Sequence, residues 1–539
     1  MPTTLSFPFA IAAALGLYAL YRVLKAYYIE YTSALRNVPG PESEHWLRGN
    51  RTELLKNLDG KEGLWTKQYG HTVRLNGVLG TSMLYTTDTK AIQHVLANHY
   101  VYQKSEAGRW LLSRMVGPGV LVVEEDQHKT QNPAFGPVHL RALTELFVEK
   151  SKQLRDVWTN KALESGGQAR LNVIPEFGTA ALDIIGKAGF NYDFNSLGSA
   201  DSGHGIRDEL HEAFMKVAAL GDVQKTFLGI AKLLMPSLRP FLPNTKIDYT
   251  IEAAQATMRR IGFGLLEESK RQVVAGNMDV DNRSARDLLS LLVRANMDKA
   301  IPEAQRMSDE DVVAQVPTFL VAGHETTAAS WTIFELARNP AVQQRLRTEL
   351  LTIDNDNPSM DDLNALPYLD CVVRETLRAH APVPFTFRTA MRDDIIPLAH
   401  PYTDRDGIVH DTLHIRKGQI VQIAILAVNR DTEIWGPDAE EYIPERWERN
   451  TAVSTQIPGV WGQMLTFLGG ARACIGFRFS IIELKALMFT LIRALEFELA
   501  VPADNVGRII GPILQVPGLR SDKDAGNQLP VLIRPFVAA

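Results

Sequence analysis

Cysteine occurs twice in the 539 residues, at Cys371 and Cys474, and the second stands in surroundings suited to chemistry. Cys474 lies in Phe467-Leu-Gly-Gly470-Ala-Arg472-Ala-Cys474-Ile-Gly476, a glycine-rich loop running into an apolar helix that starts near Phe477. A helix N-terminus and Arg472 both favour the ionised sulfur, and glycines let backbone N–H groups approach it closely. A single thiolate cannot hold zinc, but it can be the axial ligand of a haem iron. The competing reading is an inert buried thiol, which is how Cys371 reads on its apolar helix.

Four residues after Cys371 comes Glu375-Thr-Leu-Arg378, whose i, i+3 spacing puts opposite charges on one helical face. Alone, such a pair is a common solvated one. Together with the cysteine loop and with Pro444-Glu445-Arg446-Trp447 between them, in this order, the chain resembles the cytochrome P450 family. The loop matches the family's FxxGxRxCxG signature at Phe467, Gly470, Arg472, Cys474 and Gly476. Glu375 and Arg378 match ExxR, and the Pro444 segment resembles PERF.

The resemblance implies a mainly α fold with small β-sheets, the cytochrome P450 fold, and a set of roles. Cys474 would ligate the iron of heme b (iron protoporphyrin IX), with Phe467 and Gly476 completing the loop around the cofactor. Glu375, Arg378 and Arg446 would form a network under the haem that supports the fold rather than the chemistry. Arg388 and Arg472 fall where the family holds the haem propionates, and planar guanidinium groups suit carboxylates. Ala322-Gly323-His324-Glu325-Thr326-Thr327 is similar to the oxygen-activation motif. There Gly323 leaves room for oxygen beside the helix, Thr326 orients a proton-delivering water and Glu325 feeds protons inward. His324 takes the variable position and is structural. Residues 110–116, 319–322, 383–385 and 513–516 would wall a mostly apolar substrate pocket.

One segment departs from the family. A His or Trp is usually followed four residues later by an Arg that holds a propionate. Here Glu125-Asp126-Gln127-His128-Lys129-Thr130-Gln131 runs straight into Asn132-Pro133-Ala134-Phe135. The segment is short by about one helical turn, and Asn132 stands where the Arg is expected. Weakened haem retention follows from the lost charge in 129–132.

Apolar residues at three- and four-residue spacing predict helices over 140–162, 251–273, 309–338, 339–351 and 479–499. A strand pair is expected near 73–85, with Asn76-Gly77 as its turn, and a second β-rich patch over 384–425. Residues 1–21 carry no charge and Arg22 and Lys25 follow, which predicts a single-pass transmembrane anchor over 1–25. A cleaved signal peptide would carry its positive charges first; here they come after, placing the remainder on the cytosolic side. Residues 26–41 read as a linker with the Pro-rich hinge Val38-Pro39-Gly40-Pro41, and 42–539 as one haem-thiolate monooxygenase domain. With 57 Lys+Arg against 62 Asp+Glu, a net charge of -5 and 45% hydrophobic residues, a disordered chain and a nucleic-acid partner are excluded. Two cysteines are too few for a secreted disulfide framework.

The expected activity is insertion of one oxygen atom from O2 into a terpenoid, steroid or polycyclic molecule at the endoplasmic reticulum membrane. The chain has no flavin or nicotinamide fingerprint, so NADPH acts only through a separate NADPH-cytochrome P450 reductase, with cytochrome b5 as an optional second partner. Lys129, Arg478 and Lys485 are the cations expected to face that reductase. The segment Asp393-Asp394-Ile395-Ile396-Pro397-Leu398 looks like fungal, basidiomycete members, which points to secondary metabolism or xenobiotic oxidation. Two other readings stay open. One is a reductase-independent isomerase or dehydratase, against which Thr326 speaks; the other is a non-catalytic or impaired haem-binding membrane protein, suggested by the short segment near His128.

Overall fold

The computed structural model describes residues 16–18, 20–21, 24–25, 27–43, 45, 49–50, 62–77, 80–131, 137–198, 209–210, 212–213, 227–274, 287–297, 306–325, 328–449, 457–510, 514–522 and 525–537. The helices that position the site are α1 (Glu62–Tyr69), α2 (Thr89–Ala97), α3 (Glu106–Val116), α4 (Glu125–Gln131), α5 (Pro137–Glu164), α6 (Val173–Phe190), α7 (Lys246–Val274), α8 (Gln315–Glu325), α9 (Ala329–Arg338), α10 (Pro340–Leu350), α11 (Pro367–Ala379), α12 (Thr432–Trp435) and α13 (Phe477–Ala494). Asp88 starts α2 by accepting from Ala91 N, and Pro367 starts α11 at a position whose N–H has no helical partner. Helix α13, apolar around most of its circumference, packs on α5 through Phe479 and Phe147, whose rings meet edge to face at 4.7 Å.

The main sheet has the order β1 (Thr72–Asn76), β2 (Ser82–Thr86), β8 (Ile420–Ile423), β5 (Thr386–Ala390), β3 (Tyr102–Gln103). Its β2–β8 pair is parallel and the others antiparallel. A second sheet joins β4 (Ala169–Asn172), β12 (Pro530–Pro535) and β9 (Leu495–Leu499). Two hairpins, β6 (Asp394–Thr403) with β7 (Val409–Ile415) and β10 (Val506–Ile510) with β11 (Gln515–Leu519), complete the strands among the described residues.

Several sequence expectations change here. The predicted helix over 309–338 is divided: one segment covers Asp309–Val313, α8 follows, and α9 resumes at Ala329. Pro317 accounts for the first division, because its ring clashes with the carbonyl four residues earlier, that of Val313. The helix expected over 479–499 ends at Ala494, where Leu495–Leu499 pairs with β12 instead. Asn76-Gly77 is not a two-residue turn, since Asn76 still pairs with Ser82 and Gly77 N donates to Thr81 O.

Leu35 and Val38 are fully buried, and Arg74 N on β1 donates to Pro39 O at 2.9 Å. The Pro-rich segment is therefore docked on the sheet edge as part of the body rather than a free linker. Among the described residues no helix is long and apolar enough to cross a membrane. Residues 1–15, which carry most of the expected anchor, lie outside the described residues.

Candidate active site

Cys474 sits where the short 3-10 turn Gly470–Arg472 leads into α13. Its N–H donates to Phe467 O at 2.9 Å, closing the loop on itself. Gly470 has φ +68, and a Cβ there would come within 2.8 Å of Leu96 O, so only glycine lets this loop lie against α2. Phe467 is buried between Trp461 and Phe477. Cys474 keeps exposed surface, yet protein encloses it closely enough that burial pushes its thiol pKa up, opposed by a hydrogen bond from the Gly476 N–H. A Cβ added at Gly476 would meet no protein atom within 4 Å, so open space lies beside this residue.

Arg472 does not act on the sulfur as its position in the sequence suggests. Its guanidinium is ion-paired with Glu124, both side chains 5% exposed, and it donates to Val123 O at 3.0 Å. A carboxylate attracts a guanidinium far more strongly than a thiol does, so the chain by itself leaves Cys474 protonated. Metal coordination would displace that proton.

Around Glu124 the structure gathers an excess of positive charge, from the buried guanidiniums of Arg388 and Arg472 and the partly buried Lys104. Lys104 Nζ lies 3.6 Å from Glu124 Oε1, and Arg388, on β5, donates to Thr386 Oγ1 at 2.9 Å and Phe387 O at 2.8 Å. Burial lowers the Arg388 pKa to about 10, with Glu124 pulling it up and Arg472 pushing it down. Burial likewise lowers Lys104 to about 8, helped by Arg388 and Arg472 against Glu124. His128 is held near 4 by burial and by the positive charges of Arg472 and Lys104. Three cations thus face one carboxylate, which leaves two charges uncompensated among the described residues. A haem, with one iron to bind and two carboxylates to neutralise, fits both the thiol and this charge. Lys104 and Glu124 escaped sequence reading, because neither lies in a recognisable motif. Asn132 lies outside the described residues, as do the side chains of 129–131.

The charged network beneath the loop is complete. Glu375 and Arg378 are both fully buried and share two hydrogen bonds, 2.9 and 2.7 Å. Arg378 also donates to Asn429 O, Ala439 O and Glu441 O. Arg446 reaches Glu375 Oε1 at 3.4 Å, Trp435 O at 3.0 Å and Asp438 Oδ1 at 2.6 Å. Trp447, at the Phe position of PERF, donates its indole N–H to Glu375 Oε2 at 3.0 Å. That donor adds to the bonds from Arg378, Arg446 and Ile443 N that compensate the burial of this carboxylate.

On α8 the backbone is helical through Glu325, but the side chains of His324 and Glu325 and the whole of Thr326 lie outside the described residues. Gly323 does not open space as the motif suggests: a Cβ there would lie 2.6 Å from Ile185 Cγ1, so the missing side chain lets α6 pack closely. Thr318 Oγ1 on α8 donates to Val116 O at 2.9 Å, and Gln515 N donates to Pro382 O at 2.8 Å. These bonds join the expected walls 110–116 to α8 and 514–516 to the segment before β5; Ile513 lies outside the described residues. Trp110 is not a bare apolar wall, because Arg114 and Arg239 lie 5.0 and 4.5 Å from its ring.

Two surface expectations separate. Arg478 is exposed and lies over the Phe477 ring at 4.5 Å. Lys485 is buried, paired with Asp370 at 2.9 Å and bonded to Asn364 Oδ1 at 3.0 Å, so it cannot face a partner. Its position on a largely buried helix decides this. Cys371 is a buried thiol whose pKa burial pushes up to about 11.

The family model for cytochrome P450 matches residues 39–512. Cytochrome P450 monooxygenase 205 of Postia placenta is 46% identical, with 94% of each chain covered. Cytochrome P450 monooxygenase 128 of the same fungus is 45% identical over 98% of each chain. A ganoderic acid synthetase of Ganoderma lucidum is 30% identical, covering 91% of this chain and 92% of its own. With the thiol loop, the buried Glu375–Arg378 pair and matches over nearly its whole length, this chain belongs to the cytochrome P450 family and is an oxidoreductase of the monooxygenase type.

Proposed function

We propose that this chain oxidises a hydrophobic small molecule, a terpenoid, steroid or polycyclic compound, with electrons from a separate NADPH-cytochrome P450 reductase. The observation that carries the reading is the enclosed Cys474 beside a largely buried cluster of three cations and one carboxylate. A haem bound there supplies the oxidation chemistry, in which one atom of O2 enters a C–H bond. Cys474 would hold the iron, and the Gly476 N–H would stabilise the negative sulfur. Arg388, Arg472 and Lys104 would hold the propionates, Lys104 providing the third cation that Asn132 cannot. Thr326 and Glu325 would pass protons inward, and the apolar parts of 110–116, 319–322 and 383–385 would bind substrate and exclude water. The biosynthetic name of the Ganoderma relative supports a place in secondary metabolism.

A single N-terminal anchor would tether the chain to the endoplasmic reticulum with its body in the cytosol. The uncharged run 1–21 supports this, as do the exposed Leu17, Leu20, Tyr21, Leu24, Tyr27 and Tyr28, an apolar and aromatic surface suited to a membrane interface.

The test is the carbon monoxide difference spectrum of reduced protein, then product analysis with reductase and a panel of hydrophobic compounds. A thiolate-type spectrum lost in Cys474→Ala, with NADPH-dependent oxygenated products, supports the proposal. Turnover without NADPH would instead indicate an isomerase or dehydratase. Protein that folds but takes up no haem would end the enzymatic reading of this site.

A further inference from the structure

Away from the cysteine loop in sequence, three residues bring metal-ligating atoms within 4.8 Å of one another. They are His71, one residue before β1, His400, in the irregular stretch of β6 between Pro397 and Tyr402, and Glu433 in α12. Glu433 Oε2 lies 3.1 Å from His71 Nε2 and 3.8 Å from His400 Nε2. Tetrahedral zinc, with bonds of about 2.0–2.1 Å, keeps its ligand atoms roughly 3.3 Å apart, so the two distances to Glu433 need a change of only about half an ångström or less.

The far side of each imidazole is also prepared. His71 Nδ1 lies 2.9 Å from Thr87 Oγ1 and 3.6 Å from Asp431 Oδ2. His400 Nδ1 lies 3.3 Å from Asp88 Oδ2, and Asp88 is itself fixed by the N–H groups of Ala91, Ala399 and His400. A carboxylate behind an imidazole keeps the proton on Nδ1 and turns Nε2 into the free ligand nitrogen, as in histidine metal sites generally.

Asp431 supplies an independent sign of a missing cation. Its side chain is 5% exposed; Oδ1 accepts from Glu433 N at 2.9 Å, while Oδ2 has no hydrogen-bond partner among the described residues. The side-chain charges that act most on Asp431 are those of His71, Glu433 and His400. A divalent cation held by the two imidazoles and Glu433 would offset much of the negative charge gathered here. The stacked rings, 28° from parallel, do not yet converge on one point. His400, half exposed, can turn to do so, and water can take the fourth position.

We propose that His71, His400 and Glu433 bind one zinc-class divalent metal ion, with Asp431 and Asp88 orienting the two imidazoles. The ion cross-links the start of β1, the β6 hairpin and α12, and its role is structural.

Tag-free, haem-loaded protein is stripped with a chelator, titrated with zinc by calorimetry and assayed for metal after gel filtration. One zinc per chain is expected, with a raised unfolding temperature and no comparable binding of magnesium. His400→Ala and Glu433→Gln should abolish that equivalent while leaving the haem absorbance unchanged, which shows the fold intact. Asp431→Asn should weaken zinc by about ten- to a hundredfold. Absence of zinc binding in the wild type, or zinc binding unchanged in His400→Ala, overturns the proposal.

Discussion

Lys104 Nζ and Glu124 Oε1 lie 3.6 Å apart inside the protein, and Arg472 takes the other oxygen of the same carboxylate. One acid therefore restrains two of the three cations that would meet the haem propionates. Without the cofactor Arg388 is left with its charge buried, and burial drives Lys104 toward its neutral form.

Haem retention should depend on Lys104. Replacing it by Met removes a charge-assisted hydrogen bond of about 1.5–3 kcal/mol, so haem transfer to apomyoglobin should quicken by about tenfold or more. Lys104→Arg should keep haem nearly as well as the wild type. Equal transfer rates for Lys104→Met and wild type would remove Lys104 from the propionate site.

The same residue predicts a pH dependence of known sign. In the haem-free fold its pKa is about 8, below the ordinary 10.5, so between these values the unfolded chain binds more protons than the folded one. Stability of the haem-free protein should rise with pH across that window. Haem binding, which favours charged Lys104, should weaken above about pH 8. Urea titrations from pH 7.5 upward, compared with Lys104→Met, isolate the effect; identical slopes in the two proteins would refute it.

Trp447 should contribute stability rather than activity. Trp447→Phe removes the 3.0 Å bond to Glu375 and should cost about 1.5–3 kcal/mol in urea unfolding, with the carbon monoxide spectrum preserved. Arg378→Ala leaves Glu375 buried with less compensation and should cost about 3–5 kcal/mol, enough to prevent accumulation of haem-loaded protein.

Gly323 and Ile185 should show coupled mutational effects. Gly323→Ala puts a methyl group into Ile185 and should destabilise by about 1–3 kcal/mol. Ile185→Ala opens the space, so the double variant should be more stable than the sum of the single effects predicts. Strict additivity would show that α6 and α8 accommodate the methyl group by shifting.

Arg478 and Lys485 should separate cleanly in reductase assays. Arg478→Glu should raise the reductase concentration needed for half-maximal turnover at low salt, and peroxide-supported turnover should stay unchanged. Lys485→Glu should lower folded yield instead, because it sets a second acid against Asp370. A folded, active Lys485→Glu protein with a reductase defect would reverse this assignment.

The parts legible in the amino-acid sequence are those that depend on short-range geometry. Glu375 and Arg378 meet because three residues are nearly one helical turn, and the Cys474 loop bends because Gly470 can adopt a positive φ that few other residues tolerate. The helical spans followed from apolar spacing, and one error fell where a distant partner intervened, when β12 turned 495–499 into a strand, while the division of 309–338 traces to the local ring of Pro317. Only the tertiary structure decided which charges share a neighbourhood. Arg472 pairs with Glu124 across 348 residues, Lys485 is buried by the packing of α13, and His71, His400 and Glu433 converge from three separate elements. Spacing along a chain encodes torsion angles and local faces, whereas Coulomb attraction and desolvation depend on distance and burial in space, which exist only after the chain has folded.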